Sequence, residues 1–161
     1  MTQRKMQSQV EEEDMLEENR PEVLRMEIES LSRNEEFARV VVAVFMARMN
    51  PTLEELDDVK TAVSEAVTNA VIHGYQGNGG IIYLEVEILK QELTVTVRDT
   101  GIGIPNISQA MEPMFTTDPE GERSGMGFSF MEAFMDRLEV VSEPGKGTSV
   151  HMVRRLGNQE G

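Results

Sequence analysis

The sequence predicts a chain of the α/β class, and within that class an α+β two-layer sandwich whose helices cover one face of a mixed or antiparallel sheet. Two observations support this fold class. The predicted elements follow the order βααββααββ, and the strands are short and in part joined by tight turns. The chain has 161 residues, which suits one domain with its own core.

The first 23 residues are predicted to be an acidic N-terminal extension. They carry the run Glu11-Glu12-Glu13-Asp14 and little apolar periodicity, which is typical of a solvated segment that is partly helical or disordered. We therefore expect residues 1–23 to be flexible, with a specific acidic docking arm as the alternative. Residues 24–155 then form the domain, and residues 156–161 form a C-terminal tail.

The first half of the domain is predicted to be one strand followed by two helices. Residues 24–29 alternate between apolar and polar side chains, as a half-buried strand does. Ser32 and Glu35 have the spacing of a capping box, which predicts a helix over residues 34–49. A second box, Thr52 with Glu55, predicts another helix that runs to about Ile72.

The second half is predicted to add four strands, two short helices and a long loop. The strands pair as two hairpins and cover residues 81–89, 93–98, 138–142 and 148–153. The helices cover residues 107–111 and 128–134. Between them, residues 113–126 are polar and contain two prolines and two glycines, which predicts a long mobile loop.

Composition excludes several classes of function. With 15 Lys and Arg against 29 Asp and Glu, the net charge is −14, which disfavours sequence-independent binding to nucleic acid or to an anionic membrane. The absence of cysteine excludes disulfides, a thiol nucleophile and cysteine zinc sites, and two histidines are too few for a histidine-built metal site. The longest apolar run, residues 40–47, is too short to span a bilayer, and the N-terminus has no apolar signal core. We expect a cytoplasmic protein.

One candidate site lies on the second predicted helix. Glu65 and Asn69 are four residues apart and share a face, and His73 lies four residues further on. A carboxylate and an amide on one stripe of a mostly apolar helix require polar partners such as water, a metal ion or a phosphate. The alternative is a stripe that faces solvent. We expect His73 to cap the end of this helix rather than to act in catalysis.

A second candidate is the segment from Asp99 to Gly103, directly after a predicted strand. It places one carboxylate beside glycines that a flat ligand can approach closely. Because a carboxylate only accepts hydrogen bonds, it would favour the exocyclic amine of adenine and repel the O6 acceptor of guanine. An ordinary glycine turn is the alternative.

The third candidate is the segment from Arg123 to Gly127, which runs into a helix. Free backbone N–H groups at a helix start, together with glycines and an arginine, can bind phosphate. A flexible loop is the alternative. A dinucleotide-binding loop is excluded because the segment after Asp99 lacks the third glycine and is interrupted by Pro105.

In this order, the three motifs resemble the ATP-binding fold shared by gyrase, Hsp90, histidine kinases and MutL. The local sequence is similar to the anti-sigma-factor serine kinases of the sporulation type. This similarity rests on residues 64–75 (SEAVTNAVIHGY), 115–117 (FTT) and 122–128 (ERSGMGF). The resemblance covers about residues 24–155 and implies a histidine-kinase-like ATPase fold.

The resemblance also implies roles for individual residues. Glu65 would be the general base, Asn69 would hold Mg²⁺, and Asp99 would read the adenine of ATP while Gly101 and Gly103 let the base approach. Residues 115–127 would form a lid over the phosphates. The remaining residues expected to bind the nucleotide are Thr116, Thr117, Arg123, Ser124, Gly125, Gly127 and Thr148. The lid departs from the family at Asp118, where a lysine is common, so a phosphate role for that lysine does not carry over.

The partners follow from the resemblance as well. It implies a homodimer that binds and inhibits a sporulation sigma factor of RNA polymerase and phosphorylates a serine of an anti-anti-sigma factor. A stress-response anti-sigma kinase with a different sigma client is one alternative, and a module that holds sigma without catalysis is another. A detached histidine-kinase domain is disfavoured because no helix with a phosphoacceptor histidine precedes the motifs.

The predicted helix over residues 34–49 is apolar on nearly every side. One face can cover the sheet, and the outer face then requires a second subunit or a client protein. Arg39 is the only charge between Phe37 and Phe45, and arginine is favoured at interface anchors. We therefore predict that Arg39 contacts a protein partner outside the ATP site. The alternative is a helix wholly inside its own core, with Arg39 reaching out to solvent.

Overall fold

The computed structural model describes residues 2–112 and 127–157. Five helices and five strands follow one another within these ranges. The helices are α1 Gln3–Glu18, α2 Asn34–Met46, α3 Leu53–Asn69, α4 Ile107–Ala110 and α5 Gly127–Phe134. The strands are β1 Glu22–Glu29, β2 Ile81–Leu89, β3 Glu92–Asp99, β4 Arg137–Glu143 and β5 Gly147–Arg155. A 3₁₀ turn, Ala47–Met49, follows α2, and a π-helical turn, Ala70–Gly74, follows α3.

The five strands form one sheet in the order β1-β2-β3-β5-β4, and every neighbouring pair is antiparallel. The predicted fold class is confirmed, and of its two options the sheet is antiparallel rather than mixed. Because β5 rather than β4 lies next to β3, the end of β3 is directly beside the start of β5, where Asp99 pairs with Thr148. Two residues distant in sequence therefore meet at one edge of the domain.

The core lies between one face of the sheet and helices α2, α3 and α5. Strand residues alternate between buried and partly exposed, as in β2, where Ile82, Leu84 and Val86 are at most 1% exposed. On the helix side, α2 contributes a stripe at four-residue spacing, Ala38, Val42 and Met46, all fully buried. The opposite face of the sheet stays partly exposed.

Of the two predicted capping boxes, the second is confirmed and the first is wrong. Thr52 has an extended backbone, its hydroxyl accepts the Glu55 N–H at 3.1 Å, and Glu55 Oε1 accepts the Thr52 N–H at 2.8 Å. At α2 the residue before the helix is Arg33, which already has helical dihedral angles and makes no side-chain cap. The Ser32 carbonyl accepts the Glu35 N–H instead, and residues 30–33 form a tight turn between β1 and α2 in which the Asn34 N–H donates to the Leu31 carbonyl.

The N-terminal segment contains α1, whose side chains are exposed throughout residues 3–16. This agrees with a partly helical, solvated segment, and its flexibility stays a prediction. At the domain boundaries, β1 begins two residues before the predicted Leu24. Leu156, predicted to start the tail, is 2% exposed, and the Gly157 N–H donates to Glu55 Oε2 at 2.9 Å.

The outer face of α2 is not covered by the rest of the described chain. Phe37, Val40 and Val44 are 53%, 48% and 70% exposed and line one side of the helix. The alternative in which α2 is wholly internal is therefore wrong. Arg39 lies beside this face, with its guanidinium 3.9 Å from Glu35 and its side chain 37% exposed. Its contact with a partner stays a prediction.

None of the helices in the described ranges is long and apolar enough to cross a membrane.

Candidate functional site

A cavity of about 270 Å³ opens where α3 and its π-helical turn meet the ends of β3 and β5. The loop after β3, α4 and the first residues of α5 complete its wall. Among the predicted site residues, those that line it are Asn69, Asp99, Gly103, Gly127 and Thr148. Residues from four separate parts of the sequence therefore converge on one concave surface.

Asp99 is the buried charge of this cavity, with only 5% of its surface exposed. Its Oδ1 accepts the Gly101 N–H at 2.9 Å. Burial raises the pKa of Asp99 above its usual value, and backbone hydrogen bonds from Gly101 and Thr148 and the charge of Arg98 oppose that rise only in part. The side chain is thus a fixed, desolvated carboxyl group at the end of a strand, as predicted from the sequence.

Two glycines are required by the backbone around Asp99. A Cβ on Gly74 would lie 2.7 Å from the Asp99 carboxylate, and a Cβ on Gly101 would lie 1.9 Å from the Gly74 carbonyl oxygen. Gly101 does not line the cavity, so the structure gives it a different task from the predicted one. It lets the loop after β3 pack against the π-helical turn, and that contact is strengthened by the Ile102 N–H, which donates to the Gly74 carbonyl at 3.0 Å.

Gly103 meets the cavity directly. It has a φ of +76°, which side-chain-bearing residues rarely adopt, and a Cβ there would lie 2.3 Å from the Glu143 carbonyl oxygen. The loop therefore passes close to the β4–β5 turn with no space for a side chain. Of the two glycines predicted to let a flat base approach, Gly103 is the one placed at the cavity wall.

Two hydroxyl groups that the sequence reasoning did not identify hold the loop after β3. Tyr75 Oη accepts the Thr100 N–H at 2.8 Å and donates to the Ile81 carbonyl. Ser142 Oγ accepts the Ile104 N–H at 2.7 Å and lies 2.8 Å from Thr148 Oγ1. Tyr75 follows Gly74 inside the segment that carries the family resemblance, so position could have suggested it. Nothing local in the sequence distinguishes Ser142.

Glu65 and Asn69 stand on consecutive turns of α3. A Cβ on Gly127 would lie 3.1 Å from Asn69 Nδ2 and 3.2 Å from Glu65 Oε2, so the start of α5 packs directly on this pair. Asn69 lines the cavity, whereas Glu65 lies one turn away, outside its wall. His73, one turn beyond Asn69, is part of the wall. The predicted shared face of α3 is confirmed by this packing.

Five of the predicted nucleotide-binding residues lie outside the described residues, in the segment 113–126. They are Thr116, Thr117, Arg123, Ser124 and Gly125, and Asp118 lies there as well. Gly127 is the first described residue after that segment and opens α5. Arg39 does not line the cavity, in agreement with its assignment to a different surface.

The side chains around the cavity limit which kind of metal ion could bind there. Within residues 2–112 and 127–157, no three His, Asp or Glu side chains are grouped closely enough to hold a metal ion. As far as the described residues are concerned, an ion at Asn69 would take most of its oxygen ligands from water and phosphate. Mg²⁺ has this coordination habit, because it keeps several waters and binds through few protein oxygens. The residues present thus fit Mg²⁺ carried by a nucleotide better than a resident metal.

In chemical terms, the wall of the cavity has two different parts. One part of the wall offers the buried Asp99 carboxyl acceptor near the backbone of Gly103, which suits a flat, amine-bearing ring. Another part of the wall offers the Asn69 amide beside the start of α5, one turn from the Glu65 carboxylate, which suits a charged, oxygen-rich group.

The amino-acid sequence was compared with protein families and with known proteins. Residues 28–154 match the family described as histidine kinase-like ATPase domain. The anti-sigma F factor of Bacillus cereus strain G9842 is 53% identical over 136 residues, which cover 84% of this chain and 93% of that protein. The anti-sigma F factor of Bacillus mycoides strain KBAB4 is 52% identical over the same shares of the two chains.

Solved structures agree in fold. The RsbU and RsbW domains of Rv1364c from Mycobacterium tuberculosis superpose with a TM-score of 0.59 at 15% identity, covering 86% of this chain and 33% of that one. The catalytic domain of histidine kinase ThkA superposes with a TM-score of 0.50 at 17% identity, covering 83% and 96%. The family match over most of the chain and the identity to full-length relatives together decide the assignment: the chain belongs to the histidine kinase-like ATPase domain family and, within it, to the anti-sigma F factors.

Proposed function

We propose that this chain is an ATP-dependent protein-serine kinase and sigma-factor inhibitor. It binds and holds a sporulation sigma factor of RNA polymerase and, with Mg·ATP, phosphorylates a serine of its anti-anti-sigma antagonist. The observation that carries the proposal is a single cavity lined by the buried Asp99 carboxyl and by Asn69, with Glu65 one turn of α3 away from Asn69, in a chain of the anti-sigma F factor family. Because its partners act on RNA polymerase, we place it in the cytoplasm.

In this proposal Asp99 selects adenine. Its ionised carboxylate accepts a hydrogen bond from the exocyclic amine, and the buried position excludes the water that would compete for that bond. Gly103 and Thr148 lie beside it in the wall. The loop that holds Gly103 is kept in place by Ser142 and Tyr75, so the acceptor and the surface for the base are preorganised together.

Phosphoryl transfer occurs beside α3. The serine oxygen of the antagonist attacks the γ-phosphorus of ATP, the bond from that phosphorus to the bridging oxygen breaks, and ADP leaves. Glu65 accepts the serine proton as the general base. Asn69 would hold Mg²⁺ through its amide oxygen, and the ion would supply positive charge against the phosphates. Gly127 allows α5 to begin against both side chains. The segment 113–126 would supply Thr116, Thr117, Arg123, Ser124 and Gly125 to the phosphates.

A homodimer is part of the proposal, and the uncovered face of the sheet supports it. Charged side chains lie there in the open: Arg25 forms an ion pair with Glu85 at 3.0 Å, and the guanidinium of Arg98 lies over the Tyr83 ring, 4.0 Å from its centroid. A mixed-charge face of this kind can pair with a second copy of itself. Light scattering across a dilution series measures this directly, and a monomer at all concentrations would remove this element of the proposal.

The decisive experiment mixes the purified chain with Mg·ATP and candidate anti-anti-sigma proteins and detects phosphoserine by mass spectrometry. The control is the Glu65→Gln variant, which keeps the shape of the side chain. Phosphoserine only with the unmodified chain supports the kinase. Sigma binding without any phosphoserine would favour the alternative of a non-catalytic sequestering module. Inhibition of a stress-response sigma factor in preference to a sporulation one would favour the stress-response alternative.

A further inference from the structure

Arg154 connects three elements of the fold through one guanidinium group. It lies near the end of β5 on the face that carries the helices, since it pairs with the buried Leu93. Its Nη2 lies 3.2 Å from Asp58 Oδ2 on α3, and its Nη1 donates to the Phe134 carbonyl oxygen at 2.9 Å. Phe134 is the last residue of α5. The side chain therefore ties the end of α5 to the first half of α3.

This contact differs from the other ion pairs of the described residues by its burial. Arg154 and Asp58 are only 20% and 18% exposed, whereas Arg137 and Glu92, on the open side of the sheet, are 73% and 48% exposed. Burial raises the pKa of Asp58, and the nearby guanidinium partly offsets that rise. Exposed pairs contribute little to stability, but removing one member of a desolvated pair leaves the other uncompensated. Loss of either Arg154 or Asp58 should therefore disturb the helices that bury this ion pair.

The hydrogen bond from Arg154 to the Phe134 carbonyl oxygen attaches the C-terminal end of α5. The last carbonyl groups of a helix have no N–H partner within the helix, and a cationic donor there is favourable. The Nε of Arg154 is buried and has no hydrogen-bond partner among the described residues. The two Nη groups therefore carry the polar contacts, one toward each helix.

The geometry links this contact to the candidate site. Asp58 precedes Glu65 by seven residues and Asn69 by eleven, so the three side chains lie on one stripe of α3. Helix α5 packs along this stripe, with Gly127 against Glu65 and Asn69 at one end and Phe134 near Asp58 at the other. Its eight residues span about 12 Å. Any slide of α5 along α3 therefore moves Gly127 relative to the site pair.

We propose that Arg154 is a positioning residue, which fixes α5 along α3 by joining Asp58 to the Phe134 carbonyl and thereby holds Gly127 against Glu65 and Asn69. Gly127 packs tightly here: a Cβ on it would lie 3.1 to 3.3 Å from the ends of the Asn69 and Glu65 side chains, which would have to move by a few tenths of an ångström. A misplacement of about 1 Å at a catalytic pair can cost roughly 100-fold in rate. The kinetic consequence rests on the proposed kinase function, whereas the placement of α5 does not.

The first test measures α5 itself by amide hydrogen exchange in the full chain. Arg154→Met removes the charge and keeps most of the side-chain volume, and Arg137→Met is the matched control on the open face. We expect exchange in residues 128–134 to accelerate about tenfold or more in Arg154→Met, with the amides of α3 and β2 unchanged. Unchanged exchange in α5, or equal acceleration throughout the domain, overturns the proposal.

A double-variant cycle identifies the contact responsible. Asp58→Asn should accelerate α5 exchange in the same way, and the combination with Arg154→Met should be no faster than the more affected single variant. Effects that simply add would show that the two residues act separately, which also overturns the proposal. If Arg154→Met does not fold, Arg154→Lys and Asp58→Asn answer the same question. Lysine keeps the charge but has a single nitrogen in place of the two Nη groups, so it cannot contact Asp58 and the Phe134 carbonyl in the same way. We therefore expect a smaller acceleration of α5 exchange in Arg154→Lys.

The kinetic test separates positioning from general damage. In Arg154→Met we expect kcat for antagonist phosphorylation to fall between about 10-fold and 100-fold, and the affinity for magnesium-free ADP to stay within about threefold. Loss of ADP affinity to the same extent as kcat would indicate a damaged domain and overturn the proposal. If the unmodified chain has no kinase activity, the proposed function fails, while the exchange experiment still decides the role of Arg154.

Discussion

Replacement of Asp99 by asparagine separates ligand recognition from stability at a single position. The substitution keeps the shape of the side chain but turns a carboxylate, which only accepts hydrogen bonds, into an amide that can present donors to the adenine amine. A hydrogen bond to a charged group contributes about 1.5–3 kcal/mol. Because Asp99 is only 5% exposed, water cannot replace the lost bond, and we expect the upper end of that range. A loss of about 3 kcal/mol corresponds to roughly 150-fold in Kd for ATP.

The effect on the ligand-free protein should have the opposite sign. Burial raises the pKa of Asp99 in the folded state, so the ionised form is penalised by folding, and that penalty is present above the folded pKa. Stability from this group therefore falls as pH rises from the unfolded pKa through the folded one. Asp99→Asn carries no such charge, and at neutral pH its free energy of unfolding should be no lower than that of the unmodified chain.

ATP affinity should also depend on pH in a way that the variant lacks. Protonation removes the acceptor, so affinity falls as pH is lowered through the raised pKa of Asp99, in a range above the ordinary titration of aspartate. Calorimetry of ATP binding at several pH values, with urea unfolding of the same samples, measures both effects. Asp57→Asn, an exposed position on α3, is the control. Unchanged ATP affinity in Asp99→Asn would refute the adenine assignment.

Four further predictions concern the base, the loop, the extension and the partner surface. Glu65→Gln should lower antagonist phosphorylation by about 10²–10⁴-fold while ATP and sigma binding persist in calorimetry, and near-normal activity would exclude the base role. Tyr75→Phe removes the acceptor of the Thr100 N–H and should weaken ATP binding about 5-fold to 15-fold, as expected for one lost hydrogen bond of about 1–1.5 kcal/mol; the same affinity as the unmodified chain would contradict it. Deletion of residues 1–21 should leave the melting temperature and ATP affinity nearly unchanged, since α1 exposes its side chains, and a drop of many degrees would make the extension part of the fold. Arg39→Ala should weaken sigma or antagonist binding by more than about 1 kcal/mol at constant ATP affinity, and unchanged titrations of both partners would refute the partner contact.

Local signals were sufficient where one short segment decides its own conformation. The Thr52–Glu55 box forms as predicted because all its donors and acceptors lie within four residues. The spacing of Glu65 and Asn69 placed both on one face of α3, and alternation located every strand to within two residues. The Ser32–Glu35 box has the same spacing and does not form, because a tight turn over residues 30–33 leads into α2 with helical dihedral angles already at Arg33.

Contacts between segments that are distant in sequence could not be predicted from local patterns. The sequence alone determined the fold class, the strand directly before Asp99, the helix that carries Glu65 and the acidic extension, because periodicity, caps and charge are properties of neighbouring residues. Only the tertiary structure decided that Gly101 packs against Gly74, that Ser142 holds the Ile104 N–H, and that Arg154 joins α3 to α5. The last two contacts depend on the position of β5 between β3 and β4, and strand order is set by packing of the whole sheet rather than by any local pattern.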